Sequence, residues 1–216
     1  MVKNQKRTHR IEPLLVGVAG GSVSEGIGFG GAGGTIGTKT ALTWEQFLAA
    51  GKPDQRWEYV EGEVRFMSPT GFEHGLTIRQ ISVAAEKFVA GNPEWVSVGT
   101  DVAFTMASGA WRCPDWSLVR RERLQGGIPS GPAPFPPDVA FEVISPSDTW
   151  SDIQSKRREY KKNGLIQVWV DQDERTIEVI SPTHGTRVFA EGETVVIEEL
   201  PGFELNLFPL SQGQET

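Results

Sequence analysis

The chain has 216 residues, 38% of them apolar and 23% charged, with a formal net charge of −7, enough for one domain with a substantial core and some chain to spare. The single cysteine, Cys113, excludes an intramolecular disulfide, no Cys/His cluster has zinc-ligand spacing, and nothing opposes a reducing cytoplasm. No stretch approaches the roughly 20 apolar residues of a membrane span, and the acidic total confines any nucleic-acid footprint to a local patch.

Residues 1–41 start basic and turn glycine-rich, with apolar residues too scattered for a helix or strand face, which predicts a flexible extension. The run "GVAGGSVSEG" has the glycines of a phosphate-binding loop. Such a loop needs a lysine and a hydroxyl directly after its last glycine, whereas Lys39-Thr40 follows Thr38, so no nucleotide cofactor is expected. The basic residues before "PLLVGVAGG" imitate a signal peptide, but that apolar run is short and broken by glycine.

From residue 42 the pattern becomes regular. "LTWEQFLAAG" predicts a short helix, with Thr43 as N-cap, Gln46 closing the capping box and Gly51 as the stop. "RWEYVEGEVRFMSP" predicts two strands turning at Glu61-Gly62. "EHGLTIRQISVAAEKFVAGN" places Leu76, Ile78, Ile81, Ala84, Ala85, Phe88 and Val89 at helical spacing and stops at Gly91. Three strand candidates follow: "WVSVGTDVAFTM", "WRCPDWSLVRR" and "PPDVAFEVIS". A second long helix is expected with Ser151 as cap, Gln154 completing the box and Gly164 as terminator. "LIQVWVDQDERTIEVIS" is a strand, a turn near Asp173 and another strand, and "TRVFAEGETVVIEELPGFELNL" ends in short edge strands. The fold class is therefore α/β (α+β): a core of helix, three strands, helix and strand, with extra β-hairpins. The crossover helix makes two strands parallel within a mixed central sheet.

One residue in this pattern needs explaining. Glu142 lies among Val139, Ala140, Phe141, Val143 and Ile144, in a strand headed for the core, and a lone buried carboxylate costs several kcal/mol unless it is paired, protonated or metal-bound. If "WRCPDWSLVRR" and "PPDVAFEVIS" pair antiparallel, Asp115 comes near Glu142 and Asp138 falls at the opposite end. Two such carboxylates repel unless a cation sits between them, and hard oxygen ligands suit magnesium or manganese. The helix starting at Ser151 aims its N-terminal amides toward the same strand ends, a natural phosphate seat. Lys156 could reach that seat, or could instead form an exposed ion pair with Asp152, four residues earlier.

At these residues the chain resembles the PD-(D/E)XK nuclease superfamily, and more narrowly the Uma-type putative restriction endonucleases. The resemblance runs from about Leu42 to Leu210. It is carried by "RWEYVEGEV", "MSPTGFEHG", "CPDWSLV", "PDVAFEVISPSD", the set Asp152, Lys156 and Tyr160, "NGLIQVWVDQDERTIEV" and "LPGFEL" in that order. It implies a restriction-endonuclease-like domain over 42–210, between the 1–41 extension and a 211–216 tail. It also implies a magnesium-dependent DNA endonuclease, with manganese as a substitute metal. Carried over, Asp115, Glu142 and the Val143 carbonyl hold the metal, Lys156 orients the attacking water, and Glu58, His74 and Asp138 match positions that line the site. The chain departs from the superfamily motif at Ile144, where a lysine is expected, and the resemblance lets Lys156 supply that ammonium. Ile144 and the net acidity favour a rival, a nuclease-derived nucleic-acid-binding or assembly module without turnover. Lys156, Arg157, Arg158, Lys161 and Lys162, with Arg120, Arg121 and Arg123, form the local basic stretch that DNA binding requires. Nucleases of this type that cut both strands commonly pair their sites, so a homodimer through the C-terminal edge strands is expected.

Overall fold

The computed structural model describes residues 43–49, 57–67 and 69–207. The expectations for the 1–41 extension, the Gly51 stop and the 211–216 tail lie outside these residues. The first described helix, α1 (Trp44–Ala49), falls in a unit spanning 1–54, separate from the unit formed by 55–216. Thr43 and Gln46 close its capping box as expected: the Gln46 amide donates to Thr43 Oγ1 at 3.2 Å and the Thr43 amide to Gln46 Oε1 at 2.9 Å.

In the second unit, β1 (Trp57–Val60) and β2 (Glu63–Phe66) form the predicted hairpin. Its turn residues Glu61 and Gly62 have φ of 55° and 83°, the left-handed pair that a tight two-residue hairpin demands. Helix α2 (Phe72–Gly91) comes next. The next two strand candidates each break in two. "WVSVGTDVAFTM" yields β3 (Trp95–Val98) and β4 (Phe104–Thr105), and "WRCPDWSLVRR" yields β5 (Trp111–Arg112) and β6 (Trp116–Arg120). Strands β4 and β5 join the hairpin in a four-stranded sheet, order β2-β1-β5-β4, whereas β3 and β6 lie in a six-stranded one. The cause of the second break is in the sequence: Pro114 has no N–H to give a ladder, so the strand ends and the chain changes sheets at Cys113-Pro114-Asp115. A 3-10 turn (Arg121–Leu124) follows β6.

The six-stranded sheet is completed by β7 (Val139–Val143), β8 (Ile166–Asp171), β9 (Thr176–Ser181) and β10 (Gly185–Ala190), in the order β10-β9-β8-β7-β6-β3. Helix α3 (Trp150–Lys162) is the crossover, and β7 and β8 are parallel, as predicted. Its cap is Thr149 rather than Ser151: the Thr149 hydroxyl accepts from the Asp152 amide and donates to the Asp152 carboxylate. Gly164, at φ 71°, turns the chain out of the helix. The last strands, β11 (Val195–Val196) and β12 (Glu204–Leu205), pair with each other in a small sheet of their own.

All five residues of β7 are buried, so both faces of the strand are covered. Val139, Phe141 and Val143 pack in one core with Ile81, Ala85 and Phe88 of α2. Ala140 packs in a second core with Ile153 and Tyr160 of α3 and Trp169 of β8. Because successive side chains alternate across a strand, α2 and α3 cover opposite faces, and Glu142 points to the α3 side.

Candidate active site

Strand pairing brings the first two acids together. Trp116 pairs with Phe141 across β6 and β7, so Asp115, one residue before β6, lies level with the end of β7. Its Oδ2 accepts the Val143 amide at 2.9 Å. Both Asp115 and Glu142 are buried. Helix α3 supplies the counter-charge. Ile153, Lys156 and Tyr160 recur at three and four residues, a stripe that faces the sheet. Lys156 Nζ lies 3.0 Å from Glu142 Oε2 and 3.1 Å from Glu58 Oε1, and Tyr160 donates its hydroxyl to Glu142 Oε1 at 2.5 Å. Lys156 is therefore no exposed partner of Asp152, which serves the helix cap and lies 3.7 Å from Arg65.

The small sheet delivers Glu58. Its Oε2 accepts from Arg112 at 2.9 Å and its Oε1 from the Cys113 amide at 3.1 Å. His74, near the start of α2, puts Nε2 at 3.5 Å from Asp115 Oδ1, and neither ring nitrogen of this buried imidazole makes a closer hydrogen bond among the described residues. Asp138 is not in this cluster. It stands just before β7, four residues ahead of Glu142 and about 13 Å away along the chain. There it accepts from the Arg120 amide at 2.8 Å and from two Arg123 nitrogens at 2.9 Å each, and so pins the far end of the β6–β7 pair, the end at which antiparallel pairing was expected to place it.

Three buried carboxylates thus face two cations, the partly buried Lys156 and the buried Arg112. Burial, with Asp115 and Glu58 close by, pushes the Glu142 carboxyl up to about 7 in spite of Lys156. For Lys156, burial is outweighed by Glu142, Glu58 and Asp115, which hold the ammonium charged well above the lysine range. Burial is likewise overcome at Asp115 by the His74 contact, Lys156 and the Val143 amide, and at Glu58 by Lys156 and Arg112, so both acids stay below their ordinary values. Burial and the Glu142 and Glu58 charges raise the Tyr160 phenol far above its usual range, so it remains a donor.

Among the described residues, no group of three or more His, Cys, Asp and Glu side chains is arranged to enclose a metal ion. Two carboxylates and a backbone carbonyl are nonetheless a donor set of hard oxygens that suits magnesium, an ion that keeps several of its waters. The excess of negative charge at Asp115 and Glu142 also fits a cation. Arg112 carried no signal in the sequence, and Tyr160 stood there only as part of a motif. The spacing of Tyr160 four residues after Lys156, on the helix that crosses over from the Glu142 strand, is the clue that places it.

The basic stretch is partly consumed by the fold. Lys156 is in the cluster, Arg157 lies 2.5 Å from Glu178 and stacks 4.9 Å over Trp169, and Arg120 lies over Trp95. Arg158, Lys161 and Lys162 remain exposed. No helix among the described residues is long and apolar enough to cross a membrane.

Residues 44–208 match the family described as Uma2, putative restriction endonuclease. Among solved structures, the chain is similar to a putative nuclease belonging to DUF820 from Anabaena variabilis ATCC 29413. The two share 19% sequence identity and a TM-score of 0.63, over 72% of this chain and 89% of that one, a likeness of fold. No curated protein sequence matches the chain.

Proposed function

The chain belongs to the Uma2 family of putative restriction endonucleases, and on that premise we propose that it is a magnesium-dependent endonuclease hydrolysing DNA phosphodiester bonds. The observation that carries this is the partly buried Lys156 ammonium set between the buried Glu142 and Glu58, with Asp115 beside the neighbouring strand. Asp115, Glu142 and the Val143 carbonyl would hold magnesium, or manganese in its place. That ion supplies charge neutralisation at a non-bridging phosphate oxygen and acidifies the attacking water.

The chain's own groups do the rest. Lys156 has three N–H donors, and those not spent on carboxylates can orient the attacking water and offset charge that develops on the phosphoryl oxygens. The Val143 amide fixes one oxygen of Asp115, whose other oxygen faces His74, and Tyr160 fixes one oxygen of Glu142. His74 lines the Asp115 side. Lys156 comes from α3 instead of the strand position held by Ile144 and still reaches Glu142, so Ile144 does not by itself exclude turnover. Exposed Arg158, Lys161 and Lys162 would contact DNA phosphates, making affinity fall steeply with salt.

The test is cleavage of supercoiled plasmid by purified protein with magnesium, manganese or chelator. The wild type should cut only with metal, and Glu142→Gln and Lys156→Ala should not cut. A wild type that binds DNA and never cuts with either metal would favour the rival, a non-catalytic module. We further propose that residues 42–210 are the nuclease domain and that removal of 1–41 leaves cleavage intact, in a protein that works in the cytoplasm. A homodimer would present two sites to a duplex; light scattering should then give twice the 23.7 kDa chain mass, and the single mass would refute it.

A further inference from the structure

The two carboxylates that hold Lys156 are not equivalent. Glu58 is anchored independently of the lysine, with Arg112 on one oxygen at 2.9 Å and the Cys113 amide on the other at 3.1 Å. These partners lie on or beside β5, and Glu58 itself is on β1, so the anchor belongs to the four-stranded sheet. Glu142 belongs to the six-stranded sheet, and its two oxygens are shared between Lys156 and Tyr160. A divalent ion arriving on Glu142 repels the ammonium that is already there. A lysine on a flexible four-carbon stem, with no second partner, would swing out to water.

We propose that Glu58 is a positioning residue that retains Lys156 in the site when Glu142 turns to the metal, an inference that rests on the metal-dependent reading above. Lys156 is then handed from two carboxylates to one. An N–H that pointed at Glu142 becomes free to face the phosphate or the attacking water, while the contact at 3.1 Å to Glu58 holds the head group in place. The anchor compensates for the origin of the lysine: a lysine on the strand would be aimed by the sheet itself, whereas one reaching in from a helix needs a partner to aim it. The buried Arg112 acts at one remove, fixing Glu58.

Calorimetric titration with manganese of the full chain in four forms tests this: wild type, Glu58→Gln, Lys156→Ala and the double variant. Without the Glu58 charge, Lys156 falls wholly to Glu142 and competes with the ion, so Glu58→Gln should weaken manganese binding about tenfold. With Lys156 already gone, the same change should alter affinity by less than about twofold. An equal loss in both backgrounds overturns the proposal, because Glu58 would then act on the metal without the lysine. Should Glu58→Gln fail to fold, lysine acetylation of the wild-type chain, read by mass spectrometry with and without manganese, decides the matter. Lys156 should stay protected in both, and a rise to the reactivity of exposed Lys161 on adding manganese overturns the proposal. A wild type that binds no manganese removes the metal-dependent reading itself, whereas binding with a failed cycle removes only the role of Glu58.

Discussion

Tyr160 and Glu142 meet between α3 and β7 in a hydrogen bond of 2.5 Å, the buried phenol donating to the buried carboxylate. The bond satisfies two groups that neither core could otherwise accommodate, since an unpaired hydroxyl or carboxylate oxygen there would bear its full desolvation cost. Tyr160→Phe keeps the ring against Trp169 and removes only the donor. It should cost about 1 to 3 kcal/mol in urea unfolding. No loss would mean that water replaces the hydroxyl and that the site is wetter than its burial indicates.

Lys156→Ala has two clearly different outcomes. As an exposed pair with Asp152, the lysine would be worth a few tenths of a kcal/mol. Placed between Glu142 and Glu58, its removal leaves uncompensated buried charge and should destabilise by roughly 3 to 5 kcal/mol. Chemical denaturation at neutral pH separates the two.

Asp138→Ala serves as the control outside the cluster. It removes the Arg123 pair and the acceptor for the Arg120 amide, a partly exposed arrangement worth about 1 kcal/mol. Plasmid cleavage and manganese affinity should be unchanged. A loss of metal binding in a folded Asp138→Ala protein would bring this residue back into the site.

A pH test is available away from the cluster, at Glu199. Its carboxylate accepts from Ser181, Thr183 and His184. Partial burial opposes the charge, and these bonds outweigh it, taking the carboxyl from an ordinary 4.5 to about 2. The folded value is depressed, so the stabilisation is complete above about 4.5 and is lost as pH falls toward 2; on the order of 3 kcal/mol is the ceiling, reduced by solvent screening. Glu199→Gln should therefore be less stable than wild type at pH 7, and the gap between the two urea midpoints should shrink steadily as pH falls from about 4.5 to about 2.5. A gap of the same size at both pH values would assign the effect to hydrogen bonding without charge.

Much of this was legible along the chain because it depends on local signals. Hairpin, crossover helix and the Gly164 stop follow from turn chemistry and periodicity, and Glu142 stood out as the one acid in an apolar strand. Asp115 could be placed beside it because antiparallel register is set over a few residues. Other features depend on contacts distant in sequence. Arg112 finds Glu58 54 residues away, through the β1–β5 pairing. Whether Lys156 faces Asp152 or the sheet depends on which side of α3 is packed, and a pattern of charges cannot reveal that when the inward face itself carries a lysine. Each of the two broken strands was expected to run on through Asp101 (φ 65°) or Pro114, and which sheet each fragment joins is a tertiary choice.

The change of sheets at Cys113-Pro114-Asp115 has a consequence for how activity would be lost. Asp115 stands at the junction, Glu58 and Arg112 come from the smaller sheet, and Glu142 and Lys156 belong to the larger sheet and its helix. The four-stranded sheet rests on short pairings, a single residue pair between β1 and β5 and two between β4 and β5, so it is the part expected to open first. Such an opening would leave the main core folded and its helices intact while disarming the lysine. Heat or denaturant should then extinguish cleavage before the helical signal falls, making inactivation a local event rather than a measure of global unfolding.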